Sequence, residues 1–186
     1  MQFTPLEIPD VWKIEPVRHT DDRGYFVETF RETVFYTEGI AAPFVQDNQS
    51  RSRKGVVRGL HYQAPPSAQG QLVRVLRGSI LDVAVDIRFG SPWYGKHVAL
   101  ELNGSNGWMV WIPPGFAHGF LAREDDTDVL YKVTAEWNPK AERGIRWNDA
   151  ALGIDWGAGG TEEVVRISSR DADLPLLADV PREFKY

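Results

Sequence analysis

From residue 79 to residue 88 the chain alternates without a break. Leu81, Val83, Val85 and Ile87 fall on one face, and Asp82, Ala84 and Asp86 on the other. A period of two belongs to an extended strand with one apolar face. The same habit recurs at residues 12–19, 25–30, 44–50, 56–63, 71–76, 96–102, 108–112 and 129–137. Turn-forming residues separate these runs at 22–24, 54–55, 77–78, 89–92, 103–107 and 113–115. Seventeen Gly and 12 Pro work against helix interiors. Many short strands at this spacing predict an all-β sandwich or barrel. Helix is expected only as a short piece at 31–39 and as turns starting near 150–152 and 174–177, with a loop at 157–160. With no repeat, low-complexity tract or linker in 186 residues, the expectation is one domain spanning 1–186.

Composition removes several classes of function. Charged residues at 25% and hydrophobic ones at 42% describe an ordinary globular chain rather than a disordered one. A formal net charge of −5 argues against a nucleic-acid partner, which calls for a basic surface. The chain has no cysteine, which excludes thiol nucleophiles, disulfides and zinc–thiolate sites and fits a reducing cytoplasm. The first ten residues lack the basic start and apolar run of a targeting signal, and no stretch approaches the roughly 20 apolar residues of a membrane span. A soluble, cytoplasmic protein is expected.

Four histidines stand at 19, 61, 97 and 118. None belongs to a His-x-His pair, so metal catalysis on a β-barrel is disfavoured. His19 and His97 read as structural. His61 lies three residues after Arg58, and a regular strand would send the two to opposite faces. Both can line one pocket only if Gly59 bends or bulges the strand; otherwise His61 reads as a satisfied strand histidine. Gln46, Asn48 and Ser50 share a face, as do Tyr131 and Trp137. The phenol and indole are either core aromatics or a proton donor and a stacking platform in one cavity.

Taken in order, these segments resemble a known family. They are residues 22–28 around Arg23 and Glu28, Gln46-Asp47-Asn48, residues 55–63 around Arg58 and His61, residues 82–88, residues 112–120 around His118, Tyr131-Lys132, and residues 168–171 ending in Asp171. The chain is similar to the dTDP-4-dehydrorhamnose 3,5-epimerases from about Ile8 to Pro175. The resemblance implies a cupin-type (jelly-roll) β-barrel with a few short peripheral helices. It implies no metal and no cofactor, a dTDP-4-keto-sugar substrate, and a homodimer in which an amino-terminal strand packs on the partner.

It also implies roles. His61 is the base, with Asp171 paired to it; the sequence alone would read Asp171 as a tail residue or helix cap. Tyr131 returns a proton from the opposite face, and Lys132 points away from the cavity. Arg23, Arg58 and Arg170 match diphosphate-binding positions, Arg170 replacing a lysine of some members with a fork that suits phosphate. Glu28, Gln46, Asp47, Asn48, His118 and Glu142 fall at other substrate contacts, and Trp137 at the aromatic that stacks on thymine. In a dimer, Arg23 and Glu28 would reach the partner's pocket. One position departs from the family: Gln71 stands where a lysine commonly lines the site near the developing enolate. Loss of one preorganised donor costs about 3 kcal/mol in the transition state, and a neutral replacement less. The expectation is epimerisation at C3 and C5 of dTDP-4-dehydro-6-deoxy-D-glucose. The alternatives are a single-site epimerase of a related 4-keto sugar nucleotide and a non-catalytic sugar-nucleotide-binding cupin.

Overall fold

The computed structural model describes residues 1–157 and 165–186. The loop expected at 157–160 therefore lies, from residue 158 on, outside the described residues. Along the chain run β1 (Gln2–Pro5), β2 (Trp12–Glu15), β3 (Arg18–Asp21), β4 (Gly24–Val27), α1 (Glu32–Thr37), β5 (Gln46–Ser52), β6 (Val57–Gln63), β7 (Gln71–Arg77), β8 (Ser79–Asp86), β9 (His97–Asn103), β10 (Met109–Ile112), β11 (Phe116–Ala122), β12 (Thr127–Val133), β13 (Glu142–Gly144) and α2 (Ser169–Ala172). A single 3-10 turn follows at Leu177–Asp179.

The strands form a six-stranded sheet in the order β1-β2-β10-β7-β12-β5, a five-stranded sheet in the order β13-β6-β11-β8-β9, and the separate β3–β4 hairpin. Every pairing within them is antiparallel. The two large sheets pack face to face as a jelly roll of cupin type. Among the described residues no helix is long and apolar enough to cross a membrane.

Three apolar layers hold this arrangement. Between the sheets lie Val73, Val75, Ile80, Val110, Phe116, Phe120 and Val129. Outside the five-stranded sheet, Val57, Val83, Val85 and Leu121 pack under Ile145, Leu152 and Trp156. Outside the six-stranded sheet, α1 contributes Phe35 to a cluster with Ile14, Leu72 and Trp111. Fully burying each such side chain contributes about 1.5–3 kcal/mol.

The second layer changes the reading of β8. Its apolar face, Leu81, Val83, Val85 and Ile87, packs outward against the segment that follows β13. The face carrying Asp82 and Asp86 is not in solvent; both aspartates are buried. Other departures have local causes. The run expected at 12–19 breaks into β2 and β3 around Pro16, which fixes φ and has no N–H to donate. β11 escaped detection because all seven of its residues are buried. A strand covered on both faces has no alternation to read. The helix expected at 31–39 is six residues long, and the chain leaves it through Gly39 at φ 94°.

Candidate active site

A cavity of about 370 Å³ opens between the two sheets. The six-stranded sheet supplies Asn48 and Ser50 from β5, Gln71 from β7 and Tyr131 from β12. The five-stranded sheet supplies Arg58 and His61 from β6 and His118 from β11, and α2 adds Arg170 and Asp171. The first wall carries amides and hydroxyls, and the second carries the arginine, histidine and aspartate side chains.

Arg58 and His61 share the cavity because β6 bulges. Across the β6–β11 ladder His61 faces His118 but Arg58 faces Phe120, so three steps on β6 match two on β11. Gly59 absorbs the extra residue with φ at 114°. A side chain is excluded there: a Cβ would stand 2.6 Å from the His118 carbonyl oxygen and 2.7 Å from the Gly119 Cα. Arg58 is held by hydrogen bonds from Nε to Ser52 Oγ at 3.0 Å and from Nη2 to the Arg51 carbonyl at 3.1 Å.

Asp171 Oδ1 lies 2.8 Å from His61 Nε2, and Oδ2 accepts the Gly59 N–H at 3.3 Å. The carboxylate is brought there by α2, whose N-cap Ser168 accepts the Asp171 N–H at 3.1 Å. Asp171 is only 5% exposed. Burial, the largest influence, pushes its pKa up; the hydrogen bond and charge of His61, the Gly59 N–H and the Ser168 hydroxyl outweigh it and hold the carboxyl below the usual range. With Nε2 committed to a carboxylate, Nδ1 is the basic nitrogen of His61.

Tyr131 faces this pair from the other wall. Its Oη is 3.1 Å from Ser50 Oγ, and its ring packs edge-on to His118 with centroids 6.2 Å apart. Burial pushes its phenol well above the ordinary value; the Ser50 hydrogen bond and the Arg58 charge oppose this and Asp82 reinforces it. Tyr131 therefore keeps its proton at neutral pH. His118 is itself tied to Asp82, Nε2 to Oδ2, at 2.8 Å, with both side chains buried.

The rim is a chain of hydrogen bonds. Gln46 Nε2 donates to Asn48 Oδ1 at 2.7 Å, and Gln46 Oε1 accepts the Trp137 N–H at 2.9 Å. Trp137 Nε1 donates to Glu142 Oε2 at 3.1 Å, and Arg170 meets the same oxygen at 2.8 Å. Trp137 lies beyond the end of β12 and is 57% exposed, so it does not share a strand face with Tyr131 as the spacing suggested.

Other expected residues stand away from the cavity. Asp47 points to the outer face of β5, opposite to Gln46 and Asn48, and binds Lys132 Nζ at 2.7 Å. Arg23 is in the β3–β4 hairpin, paired with Asp21 at 2.6 Å, and Glu28 follows the hairpin, paired with Arg31 at 2.8 Å. The amino-terminal strand β1 pairs with β2 of its own chain. The sequence marks Ser50 only by its strand face and assigns no site role to Ser52, Asp82 or Ser168. The signal for Ser168 was present, since Ser-x-x-Asp is a helix-start pattern. Among the described residues no three His, Asp or Glu side chains are grouped to hold a metal ion.

The family model described as dTDP-4-dehydrorhamnose 3,5-epimerase matches residues 5–179. The dTDP-4-dehydrorhamnose 3,5-epimerase of Sinorhizobium fredii is 46% identical over 187 residues, covering 100% of this chain and 94% of the relative. That of Pseudomonas aeruginosa is 45% identical, covering 100% and 95%. Among solved structures, dTDP-6-deoxy-D-glucose-3,5-epimerase from Legionella pneumophila Philadelphia 1, in complex with dTDP-4-keto-L-rhamnose, superposes with a TM-score of 0.94 at 42% identity. That match covers 100% of this chain and 98% of the other.

Proposed function

The chain belongs to the dTDP-4-dehydrorhamnose 3,5-epimerase family, and from that premise we propose that it converts dTDP-4-dehydro-6-deoxy-D-glucose to dTDP-4-dehydro-L-rhamnose. It is an isomerase of sugar nucleotides, read as cytoplasmic and as a single catalytic domain. One observation carries the reading. A histidine–carboxylate pair and a protonated phenol line opposite walls of one cavity.

The C4 ketone acidifies the hydrogens on C3 and C5. His61 Nδ1 takes one of them; the C–H bond breaks and its electron pair moves onto the C4 oxygen as an enolate. Asp171 stabilises the imidazolium so formed. Tyr131 then gives its proton to the same carbon from the opposite side, the enolate collapses to the ketone, and the centre is inverted. The imidazolium loses its proton to solvent and the phenolate regains one, which readies the pair for the second carbon. The reaction is redox-neutral.

Arg58 and Arg170 are the cations of this cavity suited to the diphosphate. Trp137, on the rim beside Glu142 and Arg170, suits the nucleobase, and Gln46, Asn48, His118 and Glu142 suit the sugar and ribose. Arg23 and Glu28 contribute only if a second copy brings its hairpin to the cavity, so we read the working unit as a homodimer.

Turnover in heavy water tests the reading. Deuterium is expected at both C3 and C5, and its absence from both would overturn the assignment. Label at one carbon alone would make the protein a single-site epimerase. Binding without exchange, unchanged by His61→Ala, would make it a binding module. Because Gln71 leaves the Tyr131 wall without a cation, Gln71→Lys should raise kcat by roughly tenfold, read by stopped-time product analysis. An unchanged kcat would mean that enolate stabilisation on this wall is not limiting.

A further inference from the structure

The proposed reaction needs Tyr131 to become a phenolate each time it delivers a proton, inside a wall where the described strands contribute no cation to the lining. Ser50 from β5 meets its hydroxyl, His118 and Phe120 from β11 pack near its ring, and Arg58 from β6 and Asp82 from β8 act on it electrostatically. Asp82 is committed to His118. Arg58 is committed to Ser52 and the Arg51 carbonyl. Among the described residues, Ser50 alone is hydrogen-bonded to the phenol oxygen, at 3.1 Å. It reaches that position because Ser50 pairs with Val129 across the β5–β12 ladder, two residues from Tyr131 on the same face.

We infer that Ser50 is a positioning residue for proton delivery: its hydroxyl donates to Tyr131 Oη, turns the phenolic proton toward the substrate, and holds the phenolate that remains. The inference rests on the epimerase reading above. In the delivery step the Tyr131 O–H bond breaks and a C–H bond forms at the substrate carbon. The charge left on Oη is then met by the Ser50 O–H. A buried oxyanion without a donor bears its full desolvation cost, so a single hydrogen bond to a charged oxygen outweighs an ordinary one.

The consequence is a change in partition, not merely in rate. The enolate made by His61 can be reprotonated by Tyr131, with inversion, or by His61 after its proton has exchanged with solvent, with retention. Weakening Tyr131 leaves abstraction intact and diverts the enolate back to His61. In heavy water, Ser50→Ala should therefore raise the ratio of deuterated, uninverted substrate to inverted product about tenfold, while the rate of label entry falls less than threefold. Ser50→Thr, which keeps the hydroxyl, should restore the wild-type ratio. If Ser50→Ala fails to fold, Ser50→Cys supplies a weaker donor of similar shape and should shift the ratio the same way. A wild-type ratio in the folded Ala or Cys variant, or equal loss of label entry and inversion, would overturn the role of Ser50. Absence of label with the wild-type enzyme would instead overturn the reaction assigned to the cavity.

Discussion

Gly59 decides whether the site exists. Its φ of 114° lies where side-chain-bearing residues rarely go, and a Cβ would be driven into the backbone of His118 and Gly119. Gly59→Ala should cost about 3 kcal/mol, a fall in Tm of roughly 6–12 °C by calorimetry. The larger loss should be in turnover, because relaxing the bulge returns Arg58 and His61 to opposite faces. An Ala variant with wild-type Tm and kcat would mean that the bulge does not organise the cavity. The sequence exposed this dependence, since Arg58 and His61 at a spacing of three could share a pocket only if Gly59 broke the alternation. It did not expose Asp82, which was read as the polar face of an ordinary strand and is in fact buried against His118. A period-of-two pattern tells which residues share a face, not which face meets solvent.

At the scale of elements, the shortest helix has the largest effect on the chemistry. α2 has four residues and no stability of its own. Ser168 caps it, and it delivers Asp171 to His61 and to the Gly59 N–H. These partners hold the Asp171 pKa below its ordinary value although burial alone would raise it. A depressed carboxyl stabilises the fold at pH above its unfolded pKa of about 3.9, and that stabilisation disappears as pH falls through the lower folded value. Asp171→Asn should therefore lower Tm most at pH 5–7, with the gap to wild type closing below about pH 4, as thermal melts across that range would reveal. A gap independent of pH would mean that lost packing, not the ionised pair, is responsible. Nothing local in the sequence links residues 61 and 171, which are 110 positions apart; only the match to a family pattern joined them. β11 was hidden for a related reason, since the environment that buries both of its faces is made by segments distant in the chain.

At the scale of the molecule, the β3–β4 hairpin does not fit a self-sufficient chain. It belongs to neither large sheet, and it holds Tyr25 and Phe26 at 59% and 70% exposure. With Asp21 and Arg23 these aromatics border a second depression of about 440 Å³. Arg23 and Glu28, proposed above as substrate contacts, do not line the cavity of their own chain. In the homodimer proposed above, two chains exchange hairpins, so that each cavity is completed by the other copy. Substituting Phe26→Asp should then yield a monomer by size-exclusion chromatography with light scattering. Complementation tests the sharing of residues more sharply. On the proposed roles, His61→Ala would remove a base from its own cavity and Arg23→Ala a phosphate contact from the partner's, each expected to lower kcat/KM at least 100-fold. When equal amounts of the two variants are unfolded together and refolded as a mixture, half of the dimers are mixed, and each mixed dimer has one cavity with both residues intact. About one quarter of wild-type activity should return, counted from one intact site in two across half of the dimers. If Arg23 instead serves its own cavity, every site in every dimer lacks one residue or the other, and mixing restores nothing.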